Sequence, residues 1–133
     1  MVRPVGTSFL IDTHVFLWSI REPERLSRKI TKLLTADASH AVLSTASLWE
    51  IALKVRAGKL SMPDEPGFFV RHAESLGLEM LPIHVRHVNR VFELPDHHRD
   101  PFDRLLIAQA IVEDLPIVTI DPAFGAYGVK VIW

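Results

Sequence analysis

Four acidic side chains stand where an apolar segment hands over to a helix-forming one. They are Asp12 after Phe9-Leu10-Ile11, Glu50 within Ser47-Leu48-Trp49-Glu50-Ile51, Asp103 within His98-Arg99-Asp100-Pro101-Phe102-Asp103-Arg104, and Asp121 after Ile117-Val118-Thr119-Ile120. In an open parallel sheet such transitions share one edge, at the carboxyl ends of the strands, where ligands bind. Acids far apart in sequence then converge. Two carboxylates about 4 Å apart repel by roughly 4 kcal/mol at an effective dielectric of about 20, so a cluster of three or four calls for a cation. Hard oxygen donors select Mg²⁺ or Mn²⁺.

Each acid also has a purely structural reading. Ser47-x-x-Glu50 has the form of a capping box, in which the glutamate reaches back to the cap's backbone N–H. Asp100-Pro101 has the form of an N-cap followed by proline at the first helical position, and Asp121-Pro122 that of a turn start. Asp12 and Asp103 fit such readings less well. A carboxylate closing the run Ser8-Phe9-Leu10-Ile11 costs several kcal/mol unless it is hydrogen-bonded or ion-bound, and Asp103 lies one turn into a helix, where the N-terminal dipole favours its ionised form.

The elements that must carry these residues alternate between strand and helix. Residues 8–12 read as a buried strand, and 14–20 as a short helix stopped near Pro23. Ser27 can cap a helix to about Ala36 with Ile30, Leu33 and Leu34 on one face, and 41–44 is a short strand. Ser47 opens a helix ending near Gly58, with Leu48, Ile51, Ala52 and Val55 as its inward stripe. After a loop over 62–67 come a helix at 68–76, a small strand at 79–81 and a helix at 84–92. A loop over 95–100 leads into a long helix from Pro101 to about Glu113, and 117–120 and 129–132 are the last strands. This alternation predicts an α/β domain with a mostly parallel sheet and helices on both faces.

At 133 residues the chain fits one domain, 1–133, with a single core of ordinary size, and its 48% hydrophobic and 23% charged content is that of a soluble globular protein. No apolar run approaches the roughly 20 residues that cross a bilayer, and Asp12 interrupts the first apolar stretch, which argues against a signal peptide. The expectation is a cytoplasmic protein without membrane attachment. Without cysteine there is neither a disulfide framework nor a thiolate metal site. The formal charge of −1 does not announce a nucleic-acid binder. Setting the four candidate ligands aside, however, leaves fifteen basic residues facing twelve acidic ones, so an acidic site on a mildly basic surface keeps nucleic acid open as a partner.

The motifs Leu10-Ile11-Asp12-Thr13-His14, Leu43-Ser44 with Ser47-Leu48-Trp49-Glu50-Ile51, His98 through Ala110, and Thr119-Ile120-Asp121 with Phe124, Tyr127 and Val131-Ile132-Trp133 together resemble the PIN-domain ribonucleases, specifically VapC-type toxins of toxin–antitoxin pairs. The resemblance spans nearly the whole chain. It implies a three-layer α/β/α fold with about five mostly parallel strands, and it places the family's four acids on Asp12, Glu50, Asp103 and Asp121 as catalytic and metal-binding residues. Thr13 and Thr119 become hydroxyls that orient ligands or water, and Asp100 an additional acid in the same loop. The resemblance further implies Mg²⁺ or Mn²⁺ as cofactor, an RNA substrate cleaved by activated water, a small antitoxin covering the site, and a homodimer. Because water is the nucleophile, a ribose 2′-hydroxyl is not needed for the chemistry, and RNA preference must come from shape and unstacked bases. The six or seven residues before the first strand exceed the usual lead-in.

Arg99, Arg104, Lys54 and His98 are candidate RNA contacts, although Glu50 and Lys54 also form an ordinary i,i+4 pair. Trp18 and Trp49 can stack on bases, but their helical spacing beside apolar residues favours core packing. His84-x-x-His87 and His97-His98 lack the further ligands a zinc site needs, and no G-x-x-x-x-G-K-[ST] or G-x-G-x-x-G motif supports a nucleotide cofactor. A phosphatase of the haloacid-dehalogenase type needs an acid where His14 stands. Two other readings stay open: a catalytically silent PIN-like module binding RNA or protein, and a nuclease with the same site acting on DNA.

Overall fold

The computed structural model describes residues 8–36 and 40–133; the residues preceding the first strand, and the three between Ala36 and His40, lie outside the described set. Five strands form one sheet in the order β3-β2-β1-β4-β5: β1 Ser8–Ile11, β2 His40–Ser44, β3 Glu79–Leu81, β4 Ile117–Val118 and β5 Val131–Ile132. Every pairing is parallel, with Phe9 opposite Ala41, Leu10 opposite both Val42 and Ile117, and Val118 opposite Ile132. Central β1 is covered on both faces, which explains why it reads as an unbroken apolar run.

The two-residue period of the strands divides the core. Leu10, Val42 and Ile117 turn to one face, where they meet Leu106, Ile107 and Ala110 of α6 (Pro101–Val112), together with Phe124. Phe9, Ile11, Ala41, Leu43 and Val118 turn to the other. There they meet α1 (Thr13–Arg21) through Val15 and Phe16, α2 (Arg28–Thr35) through Ile30, α3 (Thr45–Arg56) through Ile51 and α4 (Phe68–Ser75) through Ala73. The result is the expected three-layer α/β/α arrangement, with five strands and helices on both faces. Phe69 packs against the second cluster, whereas Val70 is exposed.

Several boundaries move, each for a local reason. The helix expected to open at Ser47 opens at Thr45, because Ser44, the last residue of β2, takes the cap and accepts from the Ala46 N–H at 3.0 Å. There is accordingly no Ser47–Glu50 capping box. The inward face of α3 is Ala46, Ser47, Glu50 and Ile51, with Leu48 and Val55 partly buried, while the expected Ala52 is exposed. The last two strands are shorter than the apolar runs suggest: β4 ends at Val118, after which the Thr119 side chain turns to Asp12 and Ile120 lies 53% exposed. Two 3₁₀ segments, Pro23–Arg25 and Pro122–Tyr127, each begin on a proline. The latter turns what read as a simple Asp-Pro turn into a capped helical segment, Asp121 accepting from the Ala123 N–H.

A buried polar cluster docks α5 (Val85–Phe92) onto α6. His87 is fully buried; its Nδ1 accepts from the His84 N–H at 3.0 Å and lies 3.3 Å from Gln109 Nε2, and its Nε2 lies 2.9 Å from Glu113 Oε2. Both ring nitrogens are therefore engaged within the fold. Burial alone would raise the Glu113 carboxyl, but the hydrogen bonds from His87 and Arg86 outweigh it and hold it below the usual carboxylate range. Replacing His87 by Leu removes its hydrogen bonds from the interior, while Glu113 keeps Arg86 and Gln109 keeps the Pro82 carbonyl. Urea unfolding of His87→Leu is expected to show a loss of about 1–3 kcal/mol; unchanged stability would contradict this role for the cluster.

Candidate metal centre

Strands β1, β2 and β4 end side by side, and the residues that follow them form the floor of the site. Asp12 follows β1, Ser44 ends β2, and Thr119 follows β4. The Asp12 N–H is tied to the Val118 carbonyl at 2.9 Å, so the register of the sheet itself fixes where this carboxylate stands. Asp12 occupies the N-cap position of α1, yet its side chain makes no capping hydrogen bond. Instead, the Thr119 hydroxyl donates to Asp12 Oδ2 at 2.7 Å and accepts from the Asp121 N–H at 3.1 Å. One hydroxyl thereby links the first acid to the backbone of the fourth.

Glu50 reaches the floor from α3, beneath which Thr13 Oγ1 donates to Ser47 Oγ at 2.8 Å in a fully buried contact between α1 and α3. The sequence pattern assigns Ser47 only a capping role; its signal for the buried contact is a small polar residue one turn before Glu50 on the same helix face. Asp12 is 4% exposed and Glu50 3%. Oδ1 of Asp12 and Oε1 of Glu50 are buried without a hydrogen bond of good geometry, although the His14 N–H approaches the Asp12 carboxylate, whereas Glu50 Oε2 is held by Lys54 Nζ at 2.7 Å. Such oxygens cost several kcal/mol unless a cation meets them. Hard, anionic, unpaired oxygen donors are the chemistry that a Mg²⁺ or Mn²⁺ ion takes, so the residues fit the ion.

The third and fourth acids come from the other side. Asp100 caps α6, its Oδ1 accepting from the Phe102 and Asp103 N–H groups at 2.8 and 3.1 Å, which sets Asp103 in the helix's first turn. His98 bridges Asp103 and Asp121: its Nε2 lies 3.2 Å from Asp103 Oδ2 and 3.3 Å from Asp121 Oδ2, while its Nδ1 accepts from the Asp100 N–H at 3.2 Å. With Nδ1 an acceptor, Nε2 carries the proton and donates to the acids. Among the described residues, His98, Asp103 and Asp121 are the one group of three possible ligand residues whose atoms lie within 4.8 Å of one another. Asp12 and Glu50 stand outside that trio.

Electrostatics nevertheless links Asp12, Glu50, Asp100 and Asp103. Burial raises the Asp12 carboxyl above its usual value against the opposing hydrogen bond from Thr119, and Glu50 adds to the rise. Burial, followed by the charges of Asp100 and Asp12, pushes Asp103 up to about 7, with His98 opposing and Glu50 adding a little. The Lys54 ammonium is raised, first by its bond to Glu50 and further by Asp100 and Asp103.

The remaining candidates divide. Lys54 stays at the rim as the partner of Glu50, and Arg99 is exposed. Arg104 is committed elsewhere: its guanidinium donates to the carbonyls of Pro95 (3.0 Å), His98 (3.3 Å), Val91 and Leu94 (both 3.4 Å), fastening the loop that carries His98. Arg104, a candidate RNA contact, thus also fastens that loop. His98, a candidate likewise, lies against the carboxylates of Asp103 and Asp121. Trp18 is half-buried against Trp133, in line with packing, but Trp49 is 56% exposed and stacks edge-on against Phe102 at 5.0 Å, contrary to a core position.

Residues 9–130 match the family model of the PIN domain. Comparison with curated proteins finds no match. Among solved structures, the chain is similar to DNA-bound VapBC from Salmonella typhimurium (17% identity, TM-score 0.71, covering 94% of this chain and 96% of that one). It is also similar to VapBC2 from Rickettsia felis bound to a promoter DNA fragment (16%, 0.69, 94% and 97%) and to FitAcB from Neisseria gonorrhoeae (22%, 0.65, 94% and 96%). At these identities the likeness is one of fold.

The raised Asp103 pKa sets the sign of a pH effect in metal-free protein. The folded chain holds this proton up to about pH 7, whereas the unfolded carboxyl releases it near 3.8, so stability falls as pH rises through that window. Thermal melts in EDTA should show Tm declining between about pH 5 and 7.5, Asp103→Asn should flatten the decline, and Mn²⁺ should reverse it. A Tm that rises across this range in both proteins would contradict the assignment.

Proposed function

The chain belongs to the PIN-domain family, and from that premise we propose that it is a divalent-metal-dependent endoribonuclease acting as the toxin of a type II toxin–antitoxin pair. The observation that carries this reading is the pair of buried oxygens without a hydrogen bond of good geometry, Asp12 Oδ1 and Glu50 Oε1, beside an Asp103 whose carboxyl is pushed up to about 7. Asp12, Glu50, Asp103 and Asp121 are the residues that would hold Mg²⁺ or Mn²⁺. When bound, the cation acidifies water and neutralises charge developing on the scissile phosphate.

The chain's own groups prepare that chemistry. Thr119 keeps one Asp12 oxygen occupied and leaves the other turned to the site. Asp100 spends an oxygen on the α6 cap, so it raises Asp103 by charge while its own carboxylate stays tied to the backbone. Lys54 holds Glu50 in place and sets a positive charge at the rim, where an incoming phosphate is attracted. The Nε2–H of His98 occupies part of the space between Asp103 and Asp121, so entry of a cation requires that this donor turn aside or that the ion settle closer to Asp12 and Glu50.

The same reading gives the protein a small antitoxin as partner, RNA as substrate, a second copy in a homodimer and a cytoplasmic setting. The VapBC relatives are described as toxin–antitoxin or DNA-bound complexes, which supports a protein partner. Val85, Val88 and Phe92, at i, i+3 and i+7 on α5, are 76%, 46% and 86% exposed, an apolar stripe of the kind that protein interfaces cover. Among the described residues no helix is long and apolar enough to cross a membrane. Phe92→Glu should convert a dimer to monomer in sedimentation; an unchanged mass for a dimeric parent would remove α5 from the interface.

Asp12→Asn and Asp103→Asn preserve shape and remove charge. Each should lower the cleavage of single-stranded RNA on the order of 100-fold or more with an unchanged circular dichroism spectrum. EDTA should abolish the activity and Mn²⁺ restore it. Full residual activity in either clean variant would refute the assignment, and cleavage of matched DNA in preference to RNA would refute the substrate.

A further inference from the structure

A second feature adjoins the acids and is built of opposite charge. His14 and Trp18 of α1, Arg21 at its end, Arg25 of the 3₁₀ turn, and Lys54 and Lys59 at the end of α3 line a groove of about 320 Å³. Four cations stand there against one carboxylate, Glu22. The volume lies at the small end of ligand sites, on the scale of one unpaired nucleotide.

Two observations tie this groove to the acidic site. Lys54, which lines the groove, holds Glu50 Oε2 at 2.7 Å, and exposed His14 stands two residues after Asp12. The groove also contains a preset plane. The Arg25 guanidinium lies 4.4 Å over the Trp18 ring and 3.4 Å from Glu22 Oε2, yet its side chain remains 53% exposed. Trp18 is itself wedged against Trp133 at 6.0 Å. A guanidinium held over indole and still half-exposed offers a stacking surface to a base. Lys59 and Arg21 flank it, Arg21 being anchored on the Ser61 carbonyl at 3.2 Å.

Resting on the nuclease reading, we propose that this groove seats the single-stranded RNA next to the scissile phosphate, with Lys54 and Lys59 on its phosphates and one base stacked on Arg25. Trp18 acts as a positioning residue for Arg25. A charged track interleaved with stacking surfaces is the general solution for binding single strands. The site therefore repels a phosphate at its acidic floor and collects it at the groove, which orients the strand across the cluster. A separate groove, lined by Arg28, Lys29, Lys32 and Lys130 between α2 and β5, is comparably basic but, among the described residues, is lined by no stacked guanidinium and none of the four acids.

The test is anisotropy of a fluorescein-labelled oligouridine of about a dozen nucleotides, titrated with the whole chain in EDTA at several salt concentrations, alongside cleavage in Mn²⁺. Arg25→Gln and Lys59→Gln, both surface changes, should each weaken binding several-fold. The double variant should reduce the slope of log K against log salt by about 0.7, the one lost phosphate contact being that of Lys59. Arg25→Lys keeps the charge but loses the plane, and should weaken binding without changing the slope. Lys29→Gln with Lys32→Gln on the far groove should bind as the parent does. The proposal is overturned if the Arg25/Lys59 double variant binds like the parent, if the far-groove pair loses as much, or if the groove variants keep RNA and lose a protein partner instead. A parent that cleaves RNA while its groove variants bind unchanged sinks the groove alone; a parent that neither binds nor cleaves RNA sinks the nuclease reading with it.

Discussion

Taking the Asp12 carboxylate out of water at the end of the central strand, with one oxygen held by Thr119 and the other bare, costs several kcal/mol unless an opposite charge arrives. The surroundings make that cost unavoidable. β1 is covered on both faces, its register with β4 fixes the Asp12 backbone, and α1 leaves directly from this residue. Other acids come from separate parts of the chain: Glu50 from the face of α3, Asp103 from the first turn of α6 and Asp121 after β4, the last two gathered around His98. The rest of the fold can be understood as holding these charges together against their repulsion.

Within the chain, three devices blunt that repulsion. Asp103 holds its proton up to about pH 7, Lys54 pairs with Glu50, and the Nε2–H of His98 is shared between Asp103 and Asp121. None of them reaches the two bare oxygens of Asp12 and Glu50. That remainder distinguishes a site prepared for a cation from a cluster of caps and ion pairs. It also makes the rim basic, since Lys54 belongs at once to the acidic floor and to the groove beside it.

The layered fold could be read from the sequence because β1, β2 and β4 are short apolar runs whose alternate residues feed two cores, and because Ser27, Asp100 and Pro101 carry clear capping chemistry. Asp12, Asp103 and Asp121 do lie where a strand or loop passes into a helical segment, whereas Glu50 lies midway along α3. The failures have a common physical origin. The stripe drawn on α3 counted apolar residues as inward, which put Ala52 inside and Trp49 in the core; the site instead requires Ser47 and Glu50 inside, rotating the helix so that Trp49 faces outward. The Ser47-x-x-Glu50 pattern mimicked a capping box one turn too late, because the cap was already supplied by Ser44. His98 and Arg104 find their partners through the tertiary fold, with Asp121 lying 23 residues beyond His98, and no local pattern records such a contact.

The central claim is that the bare oxygens of Asp12 and Glu50, with Asp103 beside them, form a seat for one divalent ion. Anomalous diffraction at the manganese edge from crystals of the chain grown with Mn²⁺ tests it most directly. The account predicts a strong peak in contact with Asp12 and at least one of Glu50 and Asp103, which vanishes in Asp12→Asn. Anomalous density confined to surface acids, with the cluster still joined by the hydrogen bonds of His98 and Lys54, would contradict it.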